Sequence, residues 1–195
     1  ENYELRKIKF EIIVKKIIIL LLLIIPTLIN AQFKAKFDTM NKVENPNFND
    51  YDKLVYEATK YIFSNPANNK SEECFYAMKI AQFWMDKDTE FPLPTFGKFF
   101  SKLTKENNER FYYIISLLHY NLIQKIDNNR LLKCLPIEGK KFFELPEVKE
   151  IQIESAKIFL NYAADDNNNF KLNTELKLYV ESMKEGKLES VFFEN

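Results

Sequence analysis

The stretch FYYIISLL, Phe111 to Leu118, decides the reading of the fold. Apart from Ser116 and the tyrosine hydroxyls it is apolar nearly all round, and it shows no strand-like alternation. It lies inside a longer helical run, residues 105–126, with Thr104 as the N-cap and Asp127-Asn128-Asn129 as the closing turn. A helix apolar over most of its circumference is normally buried against several neighbours. This segment is therefore expected to be a central helix. Residues 74–85 read the same way. Only Lys79, Gln82 and Asp86 form a thin polar stripe there, Ser71 is the cap, and Glu72 and Glu73 sit in the first turn, where the positive helix end favours acids.

Outward from these two, amphipathic periods continue. After Asp50, the residues Tyr51, Leu54, Val55, Ala58 and Ile62 stand at i, i+3, i+4, i+7 and i+11, and Asn65-Pro66 ends the helix. Residues 91–95, Phe-Pro-Leu-Pro-Thr, make a stiff connector to a short helix over 96–103. Residues 131–143 contain Pro136 and Gly139 and fit a loop or one short helix. Pro146 suits a first helical turn, with Val148, Ile151, Ser155, Ile158, Phe159 and Tyr162 facing inward after it. Asn173 caps the last clear helix, whose inward residues are Leu176, Tyr179, Val180 and Met183, and Gly186 ends it as a C′ residue. Leu188, Val191, Phe192 and Phe193 form an apolar tail expected to dock. The fold class is all-α: a single helical domain of five to seven helices over residues 50–195, with antiparallel neighbours. A polar arm, residues 32–49, precedes it. Residues 77–88 and 155–166 share little more than Lys-Ile and a closing Asp, so three repeats of one unit are not visible.

The first 31 residues read as an upstream leader plus signal peptide. Lys15 and Lys16 supply the basic start, residues 17–25 are nine consecutive Ile and Leu, Pro26 and Thr27 break the run, and Ala31 suits the cleavage position. The apolar segment is shorter than the roughly 20 residues of a spanning helix. Val14 directly precedes the two lysines and is expected to be the true start. No Cys follows the apolar run, so the exported chain is not expected to be a lipoprotein.

The full chain carries 28 basic and 28 acidic residues. Residues 1–31 hold five of the former and three of the latter, which leaves the remainder at a net charge of −2. With signs interspersed, and Arg110 and Arg130 as its only arginines, this remainder lacks the footprint of a nucleic-acid binder. Gly97, Gly139 and Gly186 are the only glycines, so no nucleotide-binding glycine loop is present. The abundance of Lys, Asn, Ile, Phe and Tyr follows from AT-rich codons, and the Asn-rich stretches carry no functional weight.

Phe83-Trp84-Met85 with Thr89, together with the ending Leu172-Asn173-x-x-Leu176-Lys177-x-Tyr179 and Lys184-x-Gly186-Lys187-Leu188, resembles small exported all-helical proteins of Bacteroidota. The Asn-Ala-Gln junction at residues 30–32 is similar to their signal cleavage sites. The resemblance implies location and fold, and no chemistry.

Candidate sites are few. His119 is the single histidine and reads as a core or boundary residue, and with two cysteines no tetrahedral zinc site is expected. Residues 165–169, Asp-Asp-Asn-Asn-Asn, begin like a calcium loop, but Phe170 stands where Gly is required and Leu176 where a bidentate Glu is required. Cys74 or Cys134 beside His119 would be the formal nucleophile–base pair. Cys74 and Cys134 are also the candidate disulfide of an exported chain. The candidate ligand groove is the aromatic segment Phe91, Phe96, Phe99 and Phe100 beside stiff prolines. No catalytic residue, cofactor or metal is assigned. The function expected is an exported, periplasmic or secreted, non-catalytic helical binding or interaction protein with an envelope or extracellular partner. It would touch a membrane only through an uncleaved signal segment. The rivals are a hydrolase acting on envelope polymers and a structural envelope component.

Overall fold

The computed structural model describes residues 32–44, 47–87, 90–105 and 107–193. The signal peptide and the start at Val14 lie outside the described residues. Among the described residues there is no strand, and no helix is long and apolar enough to cross a membrane.

The chain divides after Val43 into two compact units. In the first, the described element is α1, Gln32–Met40. The polar arm expected over 32–49 is thus helical in its first half. Phe33, Phe37 and Met40 stand at i, i+4 and i+7, a sparse helical stripe, and Phe33 and Met40 are buried.

The second unit contains α2 (Asp52–Phe63), α3 (Glu72–Met85), α4 (Gly97–Lys102), α5 (Glu109–Leu122), α6 (Pro146–Ala164), α7 (Thr174–Lys184) and α8 (Leu188–Phe193). Single 3-10 turns stand at Phe48–Tyr51, Phe142–Glu144 and Asp166–Asn168. α5 is central, as its composition implies. It packs against both α2 and α6, and Tyr113, Ile115, Leu117, Leu118 and Leu122 are fully buried. The second central element is α6. It packs on both α5 and α7 and buries Val148, Ile151, Phe159 and Leu160.

Among the described residues the expectation of a central α3 is corrected. There α3 packs chiefly on α2, through a face of Cys74, Ala77, Ile80, Ala81 and Trp84. Its high apolar content includes Phe75, which is 53% exposed with Lys79 Nζ 5.2 Å from its ring centre. The docked tail is α8: Phe192 stacks on Phe99 at 4.9 Å, and Phe99 also meets Tyr113 at 5.1 Å and Tyr179 at 4.9 Å.

Local chemistry sets the helix ends. Ser71 Oγ accepts from the Cys74 amide at 3.2 Å, and Asn173 Oδ1 accepts from the Leu176 amide at 2.8 Å. Gly186, at φ +72°, ends α7. Thr104, however, does not cap α5. The helix begins five residues later at Glu109, and the roles are reversed: the buried Glu109 carboxylate accepts from the Thr104 amide (2.6 Å) and hydroxyl (2.8 Å). It also accepts from the Asn173 amide (3.3 Å) and side-chain amide (2.9 Å). One carboxylate thereby ties the approach to α5 to the start of α7. Glu109→Ala is expected to destabilise the fold by about 2 kcal/mol, because the freed donors lie near the surface and partly rehydrate. A urea melt at neutral pH measures it, and an unchanged midpoint would assign the knot no weight.

α5 leaves the α-helical register at its end. Residues Ile123–Asp127 form a π turn, with the Asn128 amide donating to Ile123 O at 3.2 Å. There Lys125 pairs with Asp52 at 2.5 Å and with Glu90 at 3.3 Å, while the Tyr56 hydroxyl donates to Asp127.

Candidate functional site

The prolines of the connector 91–96 offer carbonyls but no amide hydrogens, and neighbouring side-chain amides use those carbonyls. Asn121 Nδ2 donates to Pro92 O at 3.2 Å. Gln152 Nε2 donates to Pro94 O at 3.2 Å and to Phe96 O at 2.9 Å. Held this way, the connector distributes its phenylalanines among different environments. Phe91 is buried against Trp84, at 5.1 Å between ring centres. Phe99 is the core hub described above. Phe100 lies over Tyr113 at 6.2 Å, with the Arg110 guanidinium 5.5 Å from its ring. The four residues Phe91, Phe96, Phe99 and Phe100 therefore do not share one groove. Phe96 alone of them lines an open cleft.

That cleft has a volume of about 620 Å³. Phe96 and Gly97 at the start of α4, Phe143 and Glu144 of the 3-10 turn, Lys149 and Gln152 of α6, and Phe192 and Phe193 of α8 line it with Lys98. Gln152 and Phe192 are buried, whereas Lys98, Phe143 and Lys149 are exposed at its rim. Lys149 Nζ stands 5.5 Å from the Phe193 ring. The Gln152 amide nitrogen is committed to the connector, so its carbonyl oxygen is the acceptor left for the cleft. Glu144 spends one oxygen on the Lys141 amide at 2.7 Å. The arrangement suits a molecule with an apolar body and a polar, preferably anionic, end.

A second, smaller cleft of about 340 Å³ flanks the first turn of α6, lined by Cys134, Leu135, Ile137, Leu145 and Glu147 among others. The loop over 130–141 that forms it is held to α6 by two acids. Arg130 binds Glu150 through both terminal guanidinium nitrogens, at 2.5 and 2.8 Å, and the Cys134 amide donates to Glu147 Oε2 at 2.7 Å. The Arg130 pairing holds the Glu150 carboxyl below its ordinary range. Sequence reasoning missed this loop as a surface feature. Pro136 and Gly139 argued for a loop, but its pinning depends on acids contributed by α6.

The two cysteines are free thiols and both are buried. Cys74 lies within electrostatic reach of Tyr112 and of Tyr162 near the end of α6, whereas the Cys134 amide is bonded to Glu147 at its beginning. Fifteen residues of α-helix separate those two ends, about 22 Å at the helical rise. A disulfide needs about 7 Å or less between Cα atoms. The candidate bridge is therefore not made within this chain. Burial raises both thiols, that of Cys134 to about 11 with help from Glu147 and Glu150. The expected result of alkylation at pH 8 without reductant is slow labelling of the folded protein and two adducts per chain in guanidinium. A mass two hydrogens short, with no adducts, would restore the disulfide.

His119 is held in the α2–α5 contact. The Thr59 hydroxyl lies 3.0 Å from Tyr56 O, to which it can donate, and shares a hydrogen bond of 2.9 Å with His119 Nδ1. Tyr56 and Phe63 each lie 5.5 Å from the imidazole, ring to ring. Thr59 is fully buried, so the hydroxyl of this pair is closed to a substrate. Neither cysteine joins it: Cys134 stands by Glu147, and Cys74 by Tyr112 and Tyr162. At residues 165–169, Asp165 Oδ1 accepts from both the Asn167 amide and its side chain at 2.9 Å, an ordinary self-bonded turn. Among the described residues no group of three His, Cys, Asp or Glu could hold a metal ion.

No protein-family model, curated protein or solved structure matches the chain.

Proposed function

We propose that the protein is an exported, non-catalytic binding protein, and that the aromatic cleft beside α8 takes an amphiphilic molecule with an anionic end. The observation that carries this reading is the cleft itself: four phenylalanines, an uncommitted Gln152 carbonyl, and Lys98 and Lys149 at the rim. Its volume lies within the range of small-molecule sites. A hydrolase would need a carboxylate pair or an accessible nucleophile beside a base. The cleft offers the single carboxylate of Glu144, and His119 faces the buried hydroxyl of Thr59. Export rests on the Lys15-Lys16 start, the apolar run and the Ala31 junction.

The test is affinity capture of the protein from the envelope of its own cells, with bound small molecules identified by mass spectrometry. Phe143→Ala and Lys149→Gln change exposed rim residues and are expected to leave the fold intact while reducing the catch. An equal catch from both variants would remove the cleft from the function. N-terminal sequencing of the exported fraction is expected to begin at Gln32.

A further inference from the structure

The loop between α5 and α6 presents its apolar side chains to solvent. Leu135 is 66% exposed, Ile137 44%, Phe142 48% and Phe143 51%. Four large apolar residues on nine consecutive positions are more than the scattered exposure that a soluble surface ordinarily shows. Lys140 and Lys141 lie among these positions and Lys133 just before them, all exposed, against Glu138 as the single acid between 133 and 143. Glu144 follows directly but is bonded to the Lys141 amide. The loop is not a loose excursion. Arg130–Glu150 and the Cys134–Glu147 bond fasten its first part to α6, and the 3-10 turn Phe142–Glu144 closes it. The apolar residues are thus held outward by a rigid base, with cations interleaved among them.

Apolar tips that exceed what water favours, set among lysines, match one surface above others: a bilayer with anionic headgroups, where the tips enter the interface and the ammonium groups meet the lipid phosphates. We propose that the loop over residues 133–143 docks the protein on anionic lipid membranes. The contact lies on the surface and does not span it. The proposal goes beyond the cleft reading: the two share Phe143, but Leu135, Ile137, Phe142, Lys133, Lys140 and Lys141, which the test changes, do not line that cleft.

Trp84 is the only tryptophan and is fully buried, so a second one placed on the loop reports its own surroundings. The full chain carrying Leu135→Trp is mixed with vesicles of equal parts phosphatidylglycerol and phosphatidylcholine, and separately with phosphatidylcholine alone. A parallel protein carries Phe142→Trp, so that the result does not hang on one substitution. The expected result is a blue shift of the new emission, and its quenching by brominated acyl chains, with the anionic vesicles only. Adding Lys133→Gln, Lys140→Gln and Lys141→Gln together is expected to raise the anionic lipid needed for half the shift by roughly tenfold or more. Emission unchanged in both reporters overturns the proposal. So does a blue shift that grows with protein concentration in the absence of vesicles, which would make the occupant a second copy of the chain. An equal shift with both vesicle types would remove the lysines from it and overturn it as stated.

Discussion

Trp84→Ala is expected to destabilise the protein by about 3–5 kcal/mol, the range for emptying a closed aromatic site. Trp84 is fully buried on the face by which α3 meets α2, and its ring lies 5.1 Å from that of Phe91. It therefore joins three parts: α3, its partner helix, and the connector whose carbonyls are clamped by Asn121 and Gln152. Ala77 and Ala81 on the same face have no reach with which to refill the space. The surroundings cannot collapse far, which places the cost in the upper part of the range. Thermal unfolding should show the midpoint falling by about 10 °C, and Trp84→Phe should recover part of it. A midpoint within a degree of the parent would mean that α3 is not anchored by this side chain.

The second large effect concerns acid. His119 is half-buried, its ring beside those of Tyr56 and Phe63, and desolvation, then the charge of Lys60, lowers its pKa from the ordinary 6.5 to about 4, with Asp127 acting the other way. The folded state thus keeps a neutral ring over a pH range in which the unfolded chain binds a proton. Stability from this residue is fully present above pH 6.5, falls as the pH drops from 6.5 towards 4, and is flat below. The total is about 2–3 kcal/mol. Carboxyl groups titrate in the same window. Asp52, raised chiefly by burial, works in the opposite sense, and Glu150, lowered chiefly by Arg130, in the same sense. The measurement is therefore a difference. Urea melts at intervals from pH 4 to 7 are compared for the parent and His119→Gln. The gap between the two should narrow as the pH falls through this window. Parallel curves would mean that the imidazole is as accessible to protons in the fold as outside it.

How far the sequence carries a reader depends on which physical signal each residue sends. Ser71 and Asn173 act through bonds to amides three positions on, and Pro146 and Gly186 through their own backbone angles, and these local roles could be read directly. The run from Phe111 to Leu118 is apolar nearly all round, and no residue of α5 is fully exposed. The same inference fails for α3, because composition does not say who the neighbours are. Phe75 adds to its apolar count yet is covered by Lys79 and solvent. Thr104 looks like a cap by type, but the acceptor that decides the matter is Glu109, whose other donors come from Asn173, 64 positions on. The aromatic segment around Phe96 was visible as a concentration of rings. Its division into core and cleft was not, since that follows from two side-chain amides on α5 and α6. The pairing of Cys74 and Cys134 turned on the length of α6 and on which end each cysteine approaches. In residues 131–143 Pro136 and Gly139 signalled a loop, but its outward pose had no signal there, since it depends on Glu147 and Glu150 of α6.

The π turn at the end of α5 can be restated as an extra residue accommodated without a break. An α-helix advances about 100° per residue, and a π turn takes one more residue to close its ring. Asp127 and Lys125 reach Tyr56, Asp52 and Glu90 from a helix whose earlier turns are committed to the core. Removing Ile123 or Gln124 would leave the hydrophobic face of α5, Phe111 to Leu122, untouched. It would swing the charged end by roughly a quarter turn or more, away from every one of those partners. The polar clasp between α2 and α5 and the apolar contact between them are therefore separable in inheritance. One is written in the composition of Phe111 to Leu122, and the other in a count of residues.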